Sequence, residues 1–217
     1  MIIVERNIVF SGEELTLNSQ RALFWKRQNM LILADLHLGK AAHFRKNGIA
    51  LPIQTSLQDL QQLQGLINRY NPRQVVVVGD LLHAGANKEV ALFKDFTAKF
   101  PDTRFILIKG NHDRFSKRQL NDIGIYEIHT ALQIESIMLS HQPISEHPGN
   151  TIVGHIHPGI NIKTLNKSKM RFPCFVIAET QITLPAFSRF TGLNTNHHPE
   201  NATFFAIYDD GIFEISE

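Results

Sequence analysis

Two short, wholly apolar runs constrain this chain most: Val75–Val78 and Phe105–Ile108. Each leads into glycine and then polar side chains, Gly79-Asp80 after the first and Gly110-Asn111-His112-Asp113 after the second. Apolar runs of this length, rich in β-branched residues and without polar alternation, read as strands buried on both faces. A glycine directly beyond them marks the strand end. Strands of this kind belong to layered α/β folds, where ligands sit beyond the carboxyl ends of the sheet. The polar residues after the runs are therefore the first candidates for chemistry.

The rest of the chain fits that frame. Four strands are expected before residue 34, at Ile8–Phe10, Leu15–Leu17, Ala22–Trp25 and Met30–Leu33, separated by Ser11-Gly12, Asn18-Ser19 and Gln28-Asn29 turns. Leu57, Leu60, Leu63, Leu66 and Ile67 recur at helical spacing, and Asn71-Pro72 closes that helix. A second helix is predicted from Lys88 to Phe100, with Ala91, Leu92, Phe96 and Phe100 on one face. The alternation of strands and helices up to Ile108 implies a parallel sheet with crossover helices. Beyond it the pattern changes to short strands at Ile125–Ile128, Ala131–Ile134, Ile137–Leu139, Thr151–Val153, Ile160–Thr164, Phe172–Ile177, Ile182–Leu184, Phe204–Tyr208 and Ile212–Ile215. The expectation is a single domain over residues 1–217, an α/β fold with two mixed sheets packed together and helices outside both.

Composition narrows the function classes. A net charge of +2 neither demands nor excludes a polyanionic partner. No apolar run approaches the ~20 residues of a membrane span. The start Met1-Ile2-Ile3-Val4-Glu5-Arg6 has no cationic segment leading into an apolar signal core. The single Cys174 cannot form an internal disulfide and lies in an apolar run, so a buried thiol is expected. These features suit a cytoplasmic protein. Eleven histidines are the conspicuous excess, and several stand beside glycine at strand ends.

Five polar clusters follow apolar strands: Asp35-Leu36-His37, Gly79-Asp80, Gly110-Asn111-His112-Asp113, Ser140-His141 and Gly154-His155-Ile156-His157. Carboxylate, imidazole and amide oxygen are ligands for divalent ions such as Mn, Fe and Zn, and without thiolates a structural zinc site is not indicated. A carboxylate shared by two ions would give a dinuclear centre, the kind that clamps both oxygens of an in-line displacement at phosphorus. His129 and His147 compete for the fourth cluster. His141 is preferred because Ile137–Ser140 places it just past a strand and Gln142-Pro143 ends it.

In order and spacing these clusters resemble the calcineurin-like metallophosphoesterase superfamily. Leu33–Lys40 continuing to Gly48–Pro52, together with Leu184-Pro185-Ala186-Phe187 and Phe190-Thr191-Gly192, resembles more narrowly the bacterial DNA-ligase-associated metallophosphoesterases. The resemblance implies a four-layer α/β/β/α sandwich. It assigns Asp35, His37 and His157 to one metal, Asp80 to both, and Asn111, His141 and His155 to the second. It further implies a bridging hydroxide as nucleophile, His112 as the acid protonating the leaving group, and His83 near that leaving group, a solvated loop histidine being the alternative for His83. Manganese is the first expected ion, with Fe, Zn or Ni as other candidates. Asp113 is expected to form a structural salt bridge.

The function so implied is a phosphodiesterase acting on nucleic acid in DNA repair, associated with an ATP-dependent ligase, a helicase and an exonuclease. A small-molecule phosphohydrolase and a non-catalytic interaction module on the same fold are the alternatives. Lys40, Arg45 and Arg114, with His43, flank the motifs as candidate phosphate contacts. No acidic residue occurs between Glu146 and Glu179, while Lys163, Lys167, Lys169 and Arg171 surround an expected hairpin. Such a basic rim suits a nucleic-acid backbone or simply a solvated hairpin. The polar segment Asn196-His197-His198-Pro199 reads as a loop.

Overall fold

The computed structural model describes residues 3–40, 54–82, 88–144, 149–163 and 169–216. Seven strands form a first sheet in spatial order β1 (Glu5–Phe10), β2 (Glu13–Asn18), β3 (Leu23–Trp25), β4 (Met30–Leu33), β5 (Gln74–Val78), β6 (Arg104–Ile108) and β7 (Ile125–His129). The hairpins make β1 to β4 antiparallel neighbours, and β4 to β7 are parallel. A second sheet runs β15 (Gly211–Ser216), β14 (Thr203–Tyr208), β12 (Lys169–Ile177), β13 (Gln181–Thr183), β10 (Asn150–Val153), β9 (Ile137–Ser140) and β8 (Ala131–Ile134). Strand β11 (Gly159–Lys163) pairs with β12 alone, as a hairpin off the end of that sheet. Both sheets are mixed, as expected.

Period-two alternation explains the layers. Met30, Ile32, Val76, Val78, Ile106 and Ile108 turn one way and meet Ile137, Leu139, Ile152, Phe175, Ile182 and Phe205 of the second sheet. The intervening Leu31, Leu33, Val75, Val77, Phe105 and Leu107 turn the other way, onto helices α1 (Gln54–Tyr70) and α2 (Lys88–Thr97). Leu60, Leu63, Leu66 and Ile67 are the buried stripe of α1. In α2 Phe96 is buried, and Leu92 and, just past the helix end, Phe100 pack partly buried against the core, as expected, whereas Ala91 is exposed and Phe93 joins the buried face in its place. The cause is aromatic packing: Phe93 and Phe96 both stand edge-on to Phe105 of β6.

A third helix, α3 (Lys117–Asn121), was not expected from the apolar pattern. It starts at a capping box, the Ser116 side chain accepting from Gln119 N and Gln119 accepting from Ser116 N. The outer face of the second sheet carries a separate apolar cluster of Ile160, Cys174, Val176, Ala202, Phe204 and Ala206, to which the described helices contribute nothing. Cys174 is buried there, and burial pushes its thiol up to about 12.

Candidate metal centre

Parallel pairing sets the site. Because β4, β5 and β6 are adjacent and parallel, the residues beyond their carboxyl ends, Asp35, Asp80 and Asn111, line one edge. In the second sheet β9 and β10 are likewise adjacent and parallel, which sets His141 beside Gly154 and His155. Pairing continues past the strand ends: Asp35 N donates to Gly79 O (3.1 Å), His37 N to Asp80 O (2.8 Å) and Gly154 N to His141 O (3.1 Å). A strap ties the two edges together. Leu184 N donates to Val153 O (2.8 Å) on the second sheet, and Phe187 N to Ala34 O (2.8 Å) on the first.

Two donor groups result. Asp35, His37 and His157 form one, and Asp80, His141 and His155 the other, the ligand-type atoms in each lying within 4.8 Å of one another. His37 Nε2 is 3.2 Å from His157 Nε2, and His157 Nε2 is 3.4 Å from Asp35 Oδ1. In the second group His141 Nε2 lies 2.9 Å from Asn111 Oδ1, 3.2 Å from His155 Nδ1 and 3.6 Å from Asp80 Oδ1. All seven expected ligands therefore meet at the mouth between the sheets.

The backbone is strained to achieve this. Asp35, His37, Asp80, His155 and His157 all have positive φ, between 50° and 65°, a region costly for residues with a Cβ. Glycines make room for them. A Cβ at Gly79 would enter the His141 ring, and one at Gly110 would strike the Asp80 carboxylate. Asp35 Oδ2 accepts from His155 N (2.9 Å), locking the first motif to the last. Its Oδ1 is buried without a hydrogen-bond partner, in a residue of 0% exposure. An orphaned buried carboxylate oxygen facing imidazole nitrogens is an arrangement that a bound cation would satisfy. The donor set fits divalent ions.

His112 stands over this centre. Its backbone N donates to Asp80 Oδ1 (3.0 Å), its Nε2 lies 3.9 Å from Asp80 Oδ2, and its ring is edge-on to His37. Among the described residues Asp113 makes no salt bridge, contrary to expectation. Its carboxylate accepts from Leu82 N (3.0 Å) and Gly110 N (2.9 Å), folding the tetrapeptide back onto the second motif. Burial raises the Asp113 carboxyl to about 6 against those hydrogen bonds. Burial and then the neighbouring His141 lower the basicity of His155, which keeps an imidazole available as a ligand.

Of the flanking candidates, Lys40 lies where the fields of Asp35 and Asp80 reach it, its own basicity lowered by burial. Arg114 is exposed beside His112. Arg45, His43 and His83 lie outside the described residues. His129 pairs with Glu127 (3.0 Å) away from the centre, which removes it as a competitor of His141, while His147 is outside the described residues. The loop at residues 194–198 holds the site from behind, Asn194 N donating to His157 O (2.9 Å), while His198 Nε2 contacts Thr195 O.

Residues 29–179 match the model of the calcineurin-like phosphoesterases. The chain belongs to that family. It is a metal-dependent phosphoesterase with the family's two-sheet α/β sandwich. Among solved structures it is similar to the nuclease MPE of Pseudomonas putida, with 27% identity, a TM-score of 0.81, and 94% of this chain and 96% of that one covered. It also matches YfcE, a phosphoesterase from E. coli, at 14% identity and a TM-score of 0.44, over 86% of this chain and 98% of that one. No curated protein matches it in sequence.

Proposed function

We propose that this protein is a dinuclear phosphodiesterase that hydrolyses nucleic acid, with Asp35, His37 and His157 holding one ion, Asn111, His141 and His155 the other, and Asp80 shared. The observation that carries the reading is the pair of three-residue donor groups, with His112 within 4 Å of the Asp80 carboxylate. Bound divalent ions supply Lewis acidity at the phosphoryl oxygens and a water of lowered pKa. The chain's own part is positioning and proton transfer. The buried carboxylates fix the charge, Gly79 and Gly110 allow the close approach, and Nε2 of His112 delivers a proton to the departing oxygen. Manganese is the first ion we expect, on the family resemblance and the oxygen donors, with Fe, Zn or Ni suited to the imidazoles.

Two features support a nucleic-acid substrate. The similar Pseudomonas putida protein is a nuclease. Lys163, Lys169 and Arg171 are exposed on the β11–β12 hairpin, which begins just past His157. Cations strung along a hairpin at the site's rim suit a phosphate backbone. A place in DNA repair beside a ligase, a helicase and an exonuclease rests on the sequence resemblance, and a cytoplasmic location on the single Cys174. No described helix is long and apolar enough to cross a membrane.

The test is hydrolysis of bis-p-nitrophenyl phosphate and p-nitrophenyl phosphate by chelated protein with manganese restored. Manganese-dependent cleavage favouring the diester is expected. His112→Ala should retain its metals and lose ~10²–10⁴-fold in turnover on an unactivated diester, the span of a general acid. Preference for the monoester would replace the reading with a small-molecule phosphatase, and an unchanged His112→Ala would take the acid role from that residue.

A further inference from the structure

A cavity of about 540 Å³ opens beside the second donor group, with Asn111 and His141 forming its inner wall. Its outer wall is made by Lys109, Thr130, Gln142, Pro143 and Ile144, all exposed. That volume falls within the range of small-ligand pockets and suits a single nucleotide, not a duplex. The chemistry of the wall is mixed in a specific way. It offers one cation, a hydroxyl, a primary amide and an apolar surface, Ile144 being 42% exposed, and none of its lining residues is acidic. An anion attached to a flat heterocycle meets each of these groups.

The wall is also held in place. Lys109 N donates to His129 O (2.8 Å), continuing the pairing of β6 with β7. Gln142 O accepts from Ser140 Oγ (2.8 Å). Lys109 and Gln142 therefore flank the ligands Asn111 and His141 on two different sheets, with the cavity between them. Side chains on fixed backbone next to the reacting centre discriminate substrates better than mobile loops do.

We propose that this cavity is the subsite for the nucleotide that flanks the cleaved phosphodiester on the side of the second ion, with Lys109 on that nucleotide's outer phosphate. Thr130 and Gln142 hydrogen-bond its sugar or base, and Pro143 and Ile144 form the apolar face against the base. With no Phe, Tyr or Trp in the wall, base stacking is weak and sequence preference is slight. The assignment rests on the nucleic-acid reading above and adds where one side of the strand lies.

The experiment is steady-state cleavage of a single-stranded oligodeoxynucleotide by manganese-loaded protein, with metal content measured for each variant. Lys109→Ala should raise KM about 10-fold, the scale of one charge-assisted contact, with kcat within about 2-fold. The salt dependence of KM should flatten by about one unit of logarithmic slope, and Lys109→Arg should recover most of the loss. Ile144→Asp, at an exposed position, puts an anion in the same cavity and should raise KM at least as much. If Lys109→Ala instead lowers kcat and metal content together, the residue supports the metal loop and the subsite is wrong. If both variants match the wild type, it is wrong as well. Wild type that cleaves bis-p-nitrophenyl phosphate but not the oligonucleotide would overturn the nucleic-acid reading itself, and the subsite with it.

Discussion

Left-handed backbone occurs both at hairpin turns and at the metal centre of this molecule, and the two regions use it differently. At the chain reversals it falls on Ser11, Asn29, Glu135 and Asp209, between antiparallel strands. There the positive φ serves only to turn the chain, and several of these residue types tolerate it. At the carboxyl ends of β4, β5 and β10 it falls on Asp35, His37, Asp80, His155 and His157, where a turn could have been made by glycine at less strain. Strain retained on a functional side chain aims that side chain. The turns stabilise the fold, while the site residues take stability from it in return for geometry.

The sharpest way to break this comparison is Asp80→Gly. Glycine accepts the φ of 50° at Asp80 and removes a buried carboxylate. Metal-dependent diester hydrolysis should fall by about 10³-fold or more, as when a main electrostatic group is lost. The thermal midpoint of the metal-free protein should hold or rise, since a left-handed residue costs roughly 1–2 kcal/mol. A midpoint several degrees lower, measured by scanning fluorimetry without metal, would make Asp80 a structural residue and erase the distinction.

A carboxylate outside the site sharpens it. Asp59 of α1 is buried like Asp35 and Asp80, but the protein itself supplies its partners. Its Oδ1 accepts from Arg189 N (3.3 Å), Ser188 hydrogen-bonds it, and Arg21 and Arg189 bring positive charge. Burial still prevails and lifts it to about 6. A carboxyl raised above its unfolded value of about 3.9 binds its proton more tightly in the folded chain. Its contribution to stability is therefore present below pH 4 and lost as pH rises towards 6. Asp59→Asn should remove that decline. The difference between wild-type and variant unfolding free energies should change by on the order of 1–2 kcal/mol between pH 4 and 6, then stay level. A pH-independent difference from urea titrations would mean that Arg21 and Arg189 compensate the charge completely.

The sequence made the strands and the candidate site residues legible for one reason each. Apolar runs such as Val75–Val78 report burial on both faces, and the residue just past such a run is carried to the sheet edge whatever the fold's details. Thus Asp35, Asp80, Asn111, His141 and the His155–His157 pair were identifiable before their partners were known. What failed were choices between equivalent local signals. The burial of Phe93 in place of Ala91 on α2 was set by Phe105 on a distant strand, which no helical periodicity reports. Asp113 bonds backbone amides, and amides are the same at every position, so its acceptor role leaves no trace in residue type. The strap from Leu184 to Phe187 is visible only once both sheets are in place. Helix α3 was missed although its signal was present, since Ser116 and Gln119 form a capping box in the sequence itself.

The smallest expected effect tests the turn half of the comparison. Asp209 opens the two-residue loop of the β14–β15 hairpin, where Tyr208 pairs with Gly211, and its φ is 48°. Tight hairpin loops demand positive φ, and glycine supplies it without a Cβ clash. Relief of the left-handed strain is partly cancelled because glycine gives the unfolded chain more freedom, worth about 0.5–1 kcal/mol. Asp209→Gly should therefore stabilise by no more than about 0.5 kcal/mol, with kcat/KM unchanged. Neighbouring Asp210 keeps its contact with Gln20 Nε2 (3.4 Å), so the tertiary anchor of the hairpin survives the change. A loss above about 1 kcal/mol in denaturant titrations would show that the Asp209 side chain does more than tolerate its turn. The positive φ there would then resemble the strained residues of the metal centre, and the division between the two regions would have to be redrawn.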